Sequence, residues 1–562
     1  MDLSAERPWL RSYAPDVPAT VTPSDESLVD LLRDAARRFG PRVALDFFGA
    51  TTTYADLDAQ VSRAAEVLRR LGVGRGDRVA LVLPNCPQHV VAFYATLRLG
   101  AVVVEHNPLY TAQELAQQLA DHGARVAVVW DKVAPLVHDT AGETAVETVV
   151  AVDLTTALPR RKRWALRLPL ARARATRAAM TAPAPGALSW ERLVAAAGPL
   201  PPTHPAPGPD DTALLQYTGG TTGTPKGAIL THRNLRTNAA QGRAWVPGLR
   251  DGEETVYAVL PLFHAYGLTL CLTFSVSIGA TLVLFPRFDL DQMLEAVRRR
   301  PPTFLPAVPP IYEKLATAAR ERGVDLSSAR YAISGAMSLP PATVEVWESV
   351  TGGLLVEGYG MTETSPVALG NPVSPARRPG TVGVPFPSTE IRIVDPEDPT
   401  RERAPGEAGE LLIRGPQVFT GYWNRPAETA AVLLPGGWLR SGDIVVADAD
   451  GFVSVVDRIK ELIITGGFNV YPSEVEDALR GAPGIRDAAA VGLPGEHGEE
   501  VVAAVVLDEG ADLDEAAVRA ACRRGLAGYK VPRRLVVVDD LPRSQIGKVL
   551  RREVRDRLLA EG

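Results

Sequence analysis

The first half of the chain alternates short apolar runs with segments whose apolar residues recur at helical spacing. The runs "DRVALVLPN" (77–85), "GAVVVEHN" (100–107) and "ARVAVVW" (124–130) are rich in β-branched residues and predict strands. Between them, "PQHVVAFYATLRL" and "TAQELAQQLADHG" predict helices, and the second ends at its glycine. Because strands and helices alternate, the pattern indicates a largely parallel sheet covered by helices.

The pattern changes towards the C-terminus. Residues 438–479 join strand-like runs to a helix-like run through paired glycines, and we place a domain boundary after residue 457. The runs "RDAAAVGL", "VVAAVVLD" and "RRLVVVDDL" beyond it predict the strands of a small α+β unit. The expected architecture is therefore α/β: a large N-terminal domain (1–457) of mixed, largely parallel sheets with covering helices, and a small C-terminal α+β domain (458–562).

Length, composition and charge limit the class of protein. A chain of 562 residues is too long for one hydrophobic core, and 46% hydrophobic with 22% charged residues is typical of a globular protein. The net charge of -6 disfavours nucleic acid as the main partner. Three scattered cysteines indicate buried, inert thiols in a reducing compartment. Neither a signal peptide nor a run of about 18 apolar residues is visible, so a cytoplasmic location is expected.

One segment departs from this balance. Residues 159–177, "PRRKRWALRLPLARARATR", carry eight Lys/Arg and no acid, interleaved with apolar residues such as Trp164 and Leu170. Two interpretations stay open: a basic surface that contacts an anionic bilayer at the inner membrane face, or a solvated excursion before the Pro-rich linker at 199–211. Pro169 should interrupt any helix there.

Lysine is rare in this chain. Of 60 basic residues, seven are lysines: Lys132, Lys162, Lys226, Lys314, Lys460, Lys530 and Lys548. Lysine supplies a compact point charge where arginine supplies a planar fork, so the retained lysines are candidates for charge-demanding sites, with chance as the alternative.

The segment "LLQYTGGTTGTPKGAILTHRN" (214–234) holds four glycines, five threonines and one lysine. Exposed backbone N–H groups and hydroxyls form a cradle for a polyphosphate, and a lysine neutralises its outer oxygens. The loop is not a Walker A sequence, because Pro225 precedes the lysine and neither Ser nor Thr follows it.

This loop resembles the phosphate-binding signature of adenylate-forming enzymes, which include acyl-CoA synthetases, nonribosomal adenylation domains and luciferases. Later segments are similar to the motifs of that superfamily, in order: "EGYGMTETSP" (357–366), "SGD" (441–443), "DRIKELIITGGFNVYPSEVE" (457–476) and "LPRSQIGKVLRR" (541–552). The segments "NPLYTAQELAQQL" (107–119), "PLFHAYGLT" (261–269) and "RGPQVFTGYWNRP" (414–426) most resemble bacterial long-chain fatty-acid CoA ligases.

The resemblance implies two acyl transfers at one site. A carboxylate attacks the α-phosphorus of ATP to give acyl-AMP and pyrophosphate, and the thiol of coenzyme A then takes the acyl group and releases AMP. ATP, Mg²⁺ and coenzyme A are the implied cofactors and co-substrates, and a fatty acid, of long chain as the ligase motifs imply, is the implied substrate.

The resemblance also assigns nucleotide ligands. The residues implied to contact ATP or coenzyme A are Thr218, Gly219, Gly220, Thr221, Thr222, Gly223, Lys226, Gly335, Ala336, Glu357, Gly358, Tyr359, Thr362, Asp443, Arg458, Lys460, Gly466 and Gly467. Tyr359 is implied to stack near adenine, Thr362 to meet the α-phosphate, Glu363 to bind Mg²⁺ and Asp443 to accept the ribose hydroxyls. From the residues alone, Thr362 and Glu363 also suit a helix cap, and Asp443 suits a turn.

Catalysis is assigned by resemblance to Lys548, Thr362, Glu363 and His264. Lys548 is implied to steady the carboxylate and the α-phosphate as charge builds. The small domain is implied to rotate about Lys460 between the half-reactions, with Gly466 and Gly467 then facing the pantetheine arm. His264 closes the acyl pocket in this interpretation, and a core histidine is its alternative.

Several functions stay open at this stage. The acid is a long-chain fatty acid or instead a medium-chain or aryl acid, and the acceptor is CoA or the thiol of a carrier protein. A catalytically silent nucleotide or lipid sensor and a light-emitting oxidase are the more distant alternatives. A monomer or a homodimer fits the sequence equally well.

Overall fold

The structure, a computed structural model, describes residues 7–218, 225–465, 468–495, 498–544 and 547–560. Internal contacts divide the chain into two units. The larger comprises Ser12–Glu390 and Arg414–Gly437, and the smaller comprises Met1–Arg11, Ile391–Ile413 and Trp438–Gly562. The predicted boundary after residue 457 falls inside the smaller unit in this division, and the hinge at Lys460 stays a prediction.

The helices of the larger unit are α1 (Leu28–Phe39), α2 (Tyr54–Arg70), α3 (Pro87–Arg98), α4 (Ala112–His122), α5 (Ala134–Asp139), α6 (Arg160–Ala165), α7 (Ala171–Met180), α8 (Trp190–Ala196), α9 (His232–Trp245), α10 (Ala265–Gly267), α11 (Phe274–Ser277), α12 (Leu290–Arg299), α13 (Pro309–Glu321), α14 (Pro341–Thr351) and α15 (Pro426–Val432). Residues Leu268–Thr273 form a π-helical stretch between α10 and α11.

The strands of the larger unit are β1 (Val43–Phe47), β2 (Ala50–Thr53), β3 (Arg78–Val82), β4 (Val102–Glu105), β5 (Val126–Trp130), β6 (Thr148–Val152), β7 (Leu188–Ser189), β8 (Thr212–Thr218), β9 (Lys226–Thr231), β10 (Thr255–Ala258), β11 (Thr281–Leu284), β12 (Phe304–Ala307), β13 (Tyr331–Ser334), β14 (Leu354–Gly360), β15 (Val367–Gly370) and β16 (Val384–Pro385). One sheet has the order β16-β15-β14-β13-β12-β10-β11-β1-β2. The other contains β9-β8-β4-β3-β5-β6-β7.

The strand–helix alternation predicted for residues 77–130 is confirmed. Strands β3, β4 and β5 are parallel neighbours, and α3 and α4 connect them. Helix α4 shows why: Thr111 and Glu114 form a reciprocal capping box, Leu115 and Leu119 are buried one turn apart, and Gly123 ends the helix at φ 63°. The glycine adopts this left-handed conformation without the steric cost of a side chain.

Two buried histidines lie behind β8 and fix each other's tautomer. The Ala124 N–H donates to His122 Nδ1 at 3.1 Å, so His122 carries its proton on Nε2. That proton points to His106 Nε2 at 3.0 Å, and His106 Nδ1 then donates to Gln118 Oε1 at 2.9 Å. Both rings are therefore neutral, and burial lowers the pKa of His106 to about 4 and that of His122 well below its ordinary value.

The smaller unit contains two sheets, and its further strands are β17 (Glu390–Val394), β18 (Gly409–Arg414), β21 (Trp438–Ala447), β22 (Val453–Arg458), β23 (Ile463–Thr465), β24 (Phe468–Val470), β25 (Ile485–Gly495), β26 (Gly498–Leu507) and β27 (Arg534–Val537). Its helices are α16 (Pro472–Arg480), α17 (Glu515–Cys522) and α18 (Arg551–Ala560). Two strands of two residues each, β19 (Gly421–Tyr422) and β20 (Leu433–Leu434), precede β21 and fall within the larger unit, where β19 pairs with β9.

The C-terminal sheet has the order β24-β23-β26-β25, with β27 parallel to β26. Strand β26 alternates its apolar residues between two cores: Ala503 and Val505 face the cluster of α16 and α17, and Ala504 and Val506 face the cluster of α18. This period of two is what a strand covered on both faces requires. The α+β architecture predicted for this part is confirmed.

Cys86, Cys271 and Cys522 are free and buried, as the sequence predicted. Burial raises the pKa of Cys86 to about 12, which keeps its thiol protonated and unreactive. In the part of the chain that the structure describes, no helix combines the length and apolarity that a membrane crossing needs.

Candidate functional site

The ends of the predicted phosphate loop are held together by a strand pair. Thr218 closes β8, Lys226 opens β9, and the two residues are direct partners in the antiparallel ladder. Gly219, Gly220, Thr221, Thr222 and Gly223 lie outside the described residues. Lys226 pairs with Glu428 and places its Nζ 5.3 Å from the centroid of the Tyr422 ring.

Tyr422 connects this lysine to the predicted metal ligand. Its OH donates to Glu363 Oε1 at 2.6 Å, and the Glu363 side chain is buried. Burial, and next the charge of Glu363, raise the pKa of Tyr422, so the phenol stays protonated and donates. Lys226 and Glu363, which stand 137 positions apart in the sequence by subtraction of their numbers, thus meet at one aromatic side chain.

Thr362 and Glu363 belong to the 3₁₀ turn Thr362–Thr364, directly after β14. The capping hydrogen bond of this turn comes from Thr364, whose Oγ1 accepts from the Met361 N–H at 3.1 Å. Glu363 is fixed by its backbone as well, since its carbonyl accepts from the Phe419 N–H at 2.8 Å. The helix-cap alternative named Thr362 and Glu363, whereas the capping hydrogen bond that this turn shows is made by Thr364.

Thr362 lines a pocket in the larger unit together with five other predicted site residues. These are His264, Gly335, Ala336, Gly358 and Tyr359. The pocket has about 670 Å³ of atom-free space, the open solvent at its mouth included. The larger unit thus brings the predicted nucleotide and acyl residues to one cavity.

Part of the lining of this pocket is aromatic. Trp245 and Phe386 stack at 4.5 Å between ring centroids, and Phe274 and Phe304 lie 4.9 Å apart. The Trp245 Nε1–H donates to the Asn371 carbonyl at 3.1 Å, so the indole has its polar atom satisfied and turns its apolar rings to the pocket. Such a wall suits an apolar substrate group.

At two other positions of the pocket lining, glycine is required. A Cβ at Gly335 would stand 3.0 Å from the Tyr266 ring, and one at Gly360 would stand 1.8 Å from the Pro366 carbonyl oxygen. The backbone therefore forms the pocket surface at these positions. The Tyr266 OH donates to the Ile333 carbonyl at 2.7 Å, which fixes the ring that Gly335 approaches.

His264 and Glu357 are two titratable residues near this pocket whose pKa values are shifted by burial. His264 Nδ1 accepts from the Tyr266 N–H at 3.3 Å, and burial lowers the pKa of His264. Glu357 accepts from Asn371 Nδ2 at 2.9 Å, and burial raises its pKa to about 7. Burial therefore keeps His264 neutral and gives Glu357 a carboxyl that titrates near neutrality.

The predicted ribose ligand lies in the smaller unit. Asp443 is within strand β21, so it is not the turn residue of the alternative interpretation. Its side chain is buried, and Arg458 Nε lies 2.9 Å from Asp443 Oδ1 across the β21–β22 ladder. Two of the residues assigned to the nucleotide in this unit, Asp443 and Arg458, thus form an ion pair.

Lys548 lies among the same charges. Burial lowers its pKa first and the nearby Arg458 lowers it further, while Glu461 and Asp443 raise it. Lys548, Asp443 and Arg458 therefore share one electrostatic environment, although more than 100 positions separate the first two in the sequence by subtraction. Lys460 lies in the 3₁₀ turn Ile459–Glu461, and Gly466 and Gly467 lie outside the described residues.

Arg551, three residues after Lys548, is the centre of a buried ionic cluster. Its Nε and Nη2 donate to the two oxygens of Glu476, both at 2.7 Å. Its Nη1 pairs with Glu461 and lies 3.4 Å from Asp457 Oδ1, and its Nη2 also donates to Ser473 Oγ at 2.8 Å. The cluster joins Asp457, before the predicted hinge, to residues after it.

Sequence reasoning missed Tyr422, Asn371 and Arg551. Tyr422 and Arg551 stand inside quoted motifs, "RGPQVFTGYWNRP" and "LPRSQIGKVLRR", so the motifs were the signal that pointed near them. Among the described residues, no group of three His, Cys, Asp or Glu is placed to hold a metal ion, and Glu363 is a single carboxylate.

Comparison with known proteins gives a consistent result. Residues 32–423 match the family model described as AMP-binding enzyme, and residues 474–548 match the AMP-binding enzyme C-terminal domain. The long-chain-fatty-acid–CoA ligase of Bacillus subtilis (strain 168) is 38% identical over 559 residues, which cover 98% of each chain. The feruloyl-CoA synthase of Amycolatopsis sp is 38% identical over 512 residues, which cover 91% of this chain and 94% of the synthase.

Solved structures agree with the fold. ATP-bound MatB from Rhodopseudomonas palustris has a TM-score of 0.82 and 30% sequence identity. The match covers 95% of this chain and 99% of that one.

Proposed function

The chain belongs to the AMP-binding enzyme family, and from that premise we propose that it is an ATP-dependent long-chain fatty-acid–CoA ligase. A fatty acid and ATP give acyl-AMP and pyrophosphate, and acyl-AMP and CoA give acyl-CoA and AMP. The observation that carries the proposal is the single pocket that combines an aromatic wall with His264, Tyr359 and Thr362. The full-length similarity to the Bacillus subtilis ligase supports the choice of acid.

In this proposal the larger unit binds the triphosphate and the acid. Lys226 neutralises the outer phosphates, with the loop residues between Thr218 and Lys226 as further donors, and Thr362 meets the α-phosphate at the rim of the acyl pocket. Tyr359 and the neighbouring backbone of β14 hold the adenine. His264, kept neutral by burial, packs against the carboxylate without a charge that would compete with Lys548.

The metal proposal concerns Glu363. Mg²⁺ prefers one or two carboxylates together with phosphate oxygens, and a buried single carboxylate beside a phosphate-binding lysine fits that preference. Mg²⁺ held there would neutralise phosphate charge during attack. Tyr422, by donating to Oε1, orients the carboxylate.

The smaller unit supplies the ribose acceptor and the mobile cation. Asp443 accepts the two ribose hydroxyls, Arg458 keeps its carboxylate oriented, and Lys548 stabilises charge on the α-phosphate during the first half-reaction. Rotation about Lys460 then removes Lys548 and brings Gly466 and Gly467 to the pantetheine arm. The small C-terminal domain of residues 458–562 is the moving part in this scheme.

A second candidate is CoA ligation of an aryl acid. The aromatic wall of the pocket and the similarity to feruloyl-CoA synthase favour it over the remaining alternatives. We further propose a cytoplasmic protein, monomeric or homodimeric, that makes peripheral contact with the inner membrane face through residues 159–177.

The test is ligation across acids of graded length with a matched aryl series. Pyrophosphate release is measured with saturated acids from short to long chains and with ferulate and benzoate, each with and without CoA. The proposal predicts that kcat/KM rises with chain length and that acyl-CoA forms only with both ATP and CoA. Preference for ferulate would select the aryl ligase, and pyrophosphate release unaffected by CoA would indicate another acceptor.

A further inference from the structure

The segment from Arg160 to Met180 forms a surface that its own fold leaves uncovered. Helices α6 and α7 contain no buried residue, and Pro169 separates them as the sequence predicted. We call the exposed side of these two helices and their connection the α6–α7 surface.

This surface is basic and largely unpaired. Lys162 pairs with Glu295 at 3.0 Å, while the seven arginines have no carboxylate within 4.0 Å among the residues that the structure describes. Arg163 and Arg174 each donate to a backbone carbonyl, and the side chains of the other five make no hydrogen bond in that part of the chain. These are Arg160, Arg161, Arg167, Arg172 and Arg177. Protein surfaces ordinarily intersperse the two signs of charge, and this chain is acidic overall, so the surface has a local excess opposite to the sign of the whole molecule.

Large apolar side chains lie among these cations. The Trp164 side chain is 67% exposed and Leu170 is 58% exposed, and both are uncommon values for residues of their size. Tryptophan favours the boundary between lipid headgroups and acyl chains, and arginine favours the anionic headgroups beside it. A nucleic acid would use the cations and leave the exposed leucine without a partner.

The surface is attached to the body at its end and in its first helix, so it is not a loose tail. The Trp130 Nε1–H donates to the Met180 carbonyl and Lys132 Nζ to the Ala178 carbonyl, at 2.8 and 2.9 Å. Lys162, through Glu295, ties α6 to α12. Trp164 and Leu170 are therefore presented on a supported excursion, which lowers the ordering cost of binding.

We propose that the α6–α7 surface is the docking site for a bilayer rich in anionic phospholipids. The inference deepens the membrane contact of the proposed function and shares with it the premise that the substrate is a long-chain amphiphile, which partitions into bilayers. Binding requires the unpaired arginines for attraction and Trp164 with Leu170 for insertion at the headgroup level.

The test uses the full chain and extruded vesicles of phosphatidylcholine alone or mixed equally with phosphatidylglycerol. Three proteins are compared by flotation: the native chain, a variant with the five unpaired arginines changed to glutamine, and a control with Arg63, Arg192, Arg298, Arg486 and Arg523 changed to glutamine. The control residues are exposed, make no ion pair in the described part of the chain, and change the net charge equally.

We expect the native chain and the control to float with the anionic vesicles only, and binding to weaken as salt is added. Each basic group near an anionic surface contributes about five-fold, so losing five should weaken vesicle binding by up to about 3,000-fold. The variant Trp164→Ser should also bind the anionic vesicles more weakly than the native chain, although its net charge is unchanged. Equal flotation of the five-arginine variant and the control would overturn the proposal, as would native binding to neutral vesicles at the same strength.

Two readouts separate this proposal from others. Ligation of a dissolved medium-chain acid should be unchanged in the five-arginine variant, so a loss of activity there would reflect the fold or the proposed function and not docking. If double-stranded DNA, and not anionic vesicles, binds through the same arginines, the surface recognises nucleic acid and the bilayer proposal is wrong.

Discussion

Replacing Arg551 by glutamine should weaken the attachment of helix α18 to strand β22 and to the 3₁₀ turn Ile459–Glu461, which contains the predicted hinge. The guanidinium is paired with three carboxylates at once, those of Asp457, Glu461 and Glu476. Glutamine keeps much of the length of the side chain and removes its charge. The matched control is Arg552→Gln, because Arg552 is 58% exposed on the same helix and its nearest carboxylate, Asp556, is 3.9 Å away.

The magnitude follows from how buried the partners are. The side chains of Asp457 and Glu476 are 1% and 6% exposed, so removing Arg551 leaves two charges that water does not reach. Breaking a buried pair in this way costs about 3–5 kcal/mol. Since 1.4 kcal/mol is a factor of ten, local opening around α18 should become about 100- to 4,000-fold more populated.

The cost should depend on pH. Burial raises the pKa of Asp457 and that of Glu476, and Arg551 opposes both shifts. Without Arg551 the folded-state pKa values rise further above those of the unfolded chain, so the stability of the variant is retained at low pH and lost as pH rises through the folded values. The difference from Arg552→Gln should therefore be smaller at pH 5 than at pH 8.

Hydrogen exchange of peptides from α18 and β25 measures the opening directly. Exchange in Arg551→Gln should be faster than in Arg552→Gln by the factor given above, and Arg551→Lys should fall between them, because lysine keeps the charge but loses the fork. ATP–pyrophosphate exchange should also fall, since Lys548 stands on the same segment. Equal exchange rates in the two glutamine variants would refute the role given to Arg551.

Three other predictions follow from the site and the core. Lys548→Ala should slow acyl-adenylate formation about 100- to 1,000-fold and leave thioester formation from supplied acyl-adenylate far less affected, in separate half-reaction assays; equal losses would contradict its role. Asp443→Asn should raise the KM for ATP about 10- to 100-fold and reduce the native preference for ATP over 2′-deoxy-ATP in steady-state kinetics, and an unchanged preference would count against ribose binding. The unfolding temperature should fall as pH falls from 6.5 towards 4, because His106 and His122 bind protons in the unfolded chain and stay neutral in the folded one. For His106 the loss of stability is about 2 kcal/mol at pH 5. In calorimetry, His106→Gln should show a smaller fall in unfolding temperature than the native chain.

Local sequence was sufficient for the strands and helices of residues 77–130. Each strand there is a short β-branched run, and helix α4 has its own capping box and terminating glycine, so no distant contact is needed to choose the structure. The fold class, the family and the pocket residues of the larger unit followed from motifs whose chemistry is specific. The roles of Lys548, Asp443 and the hinge stay predictions.

What could not be predicted are the contacts between distant motifs. Arg551 and Asp457 are separated by 94 positions, and nothing near either residue in sequence indicates that they meet. The same holds for Tyr422, whose motif resembled the family's but gave no partner for its hydroxyl. Residues 391–413 likewise group with the C-terminal part through contacts between residues distant in sequence. The hydrophobic pattern of a segment does not predict such contacts.

The position of Tyr422 bears on how nucleotide affinity can be altered. The ring of Tyr422 lies near Lys226, and its hydroxyl steers the Glu363 carboxylate. Tyr422→Phe would therefore release the proposed Mg²⁺ ligand and keep the ring beside the proposed phosphate-binding lysine, without adding or removing a charge. Nucleotide affinity can thus be altered by an uncharged substitution at a residue that is not itself a proposed ligand. A search limited to charged residues would overlook it.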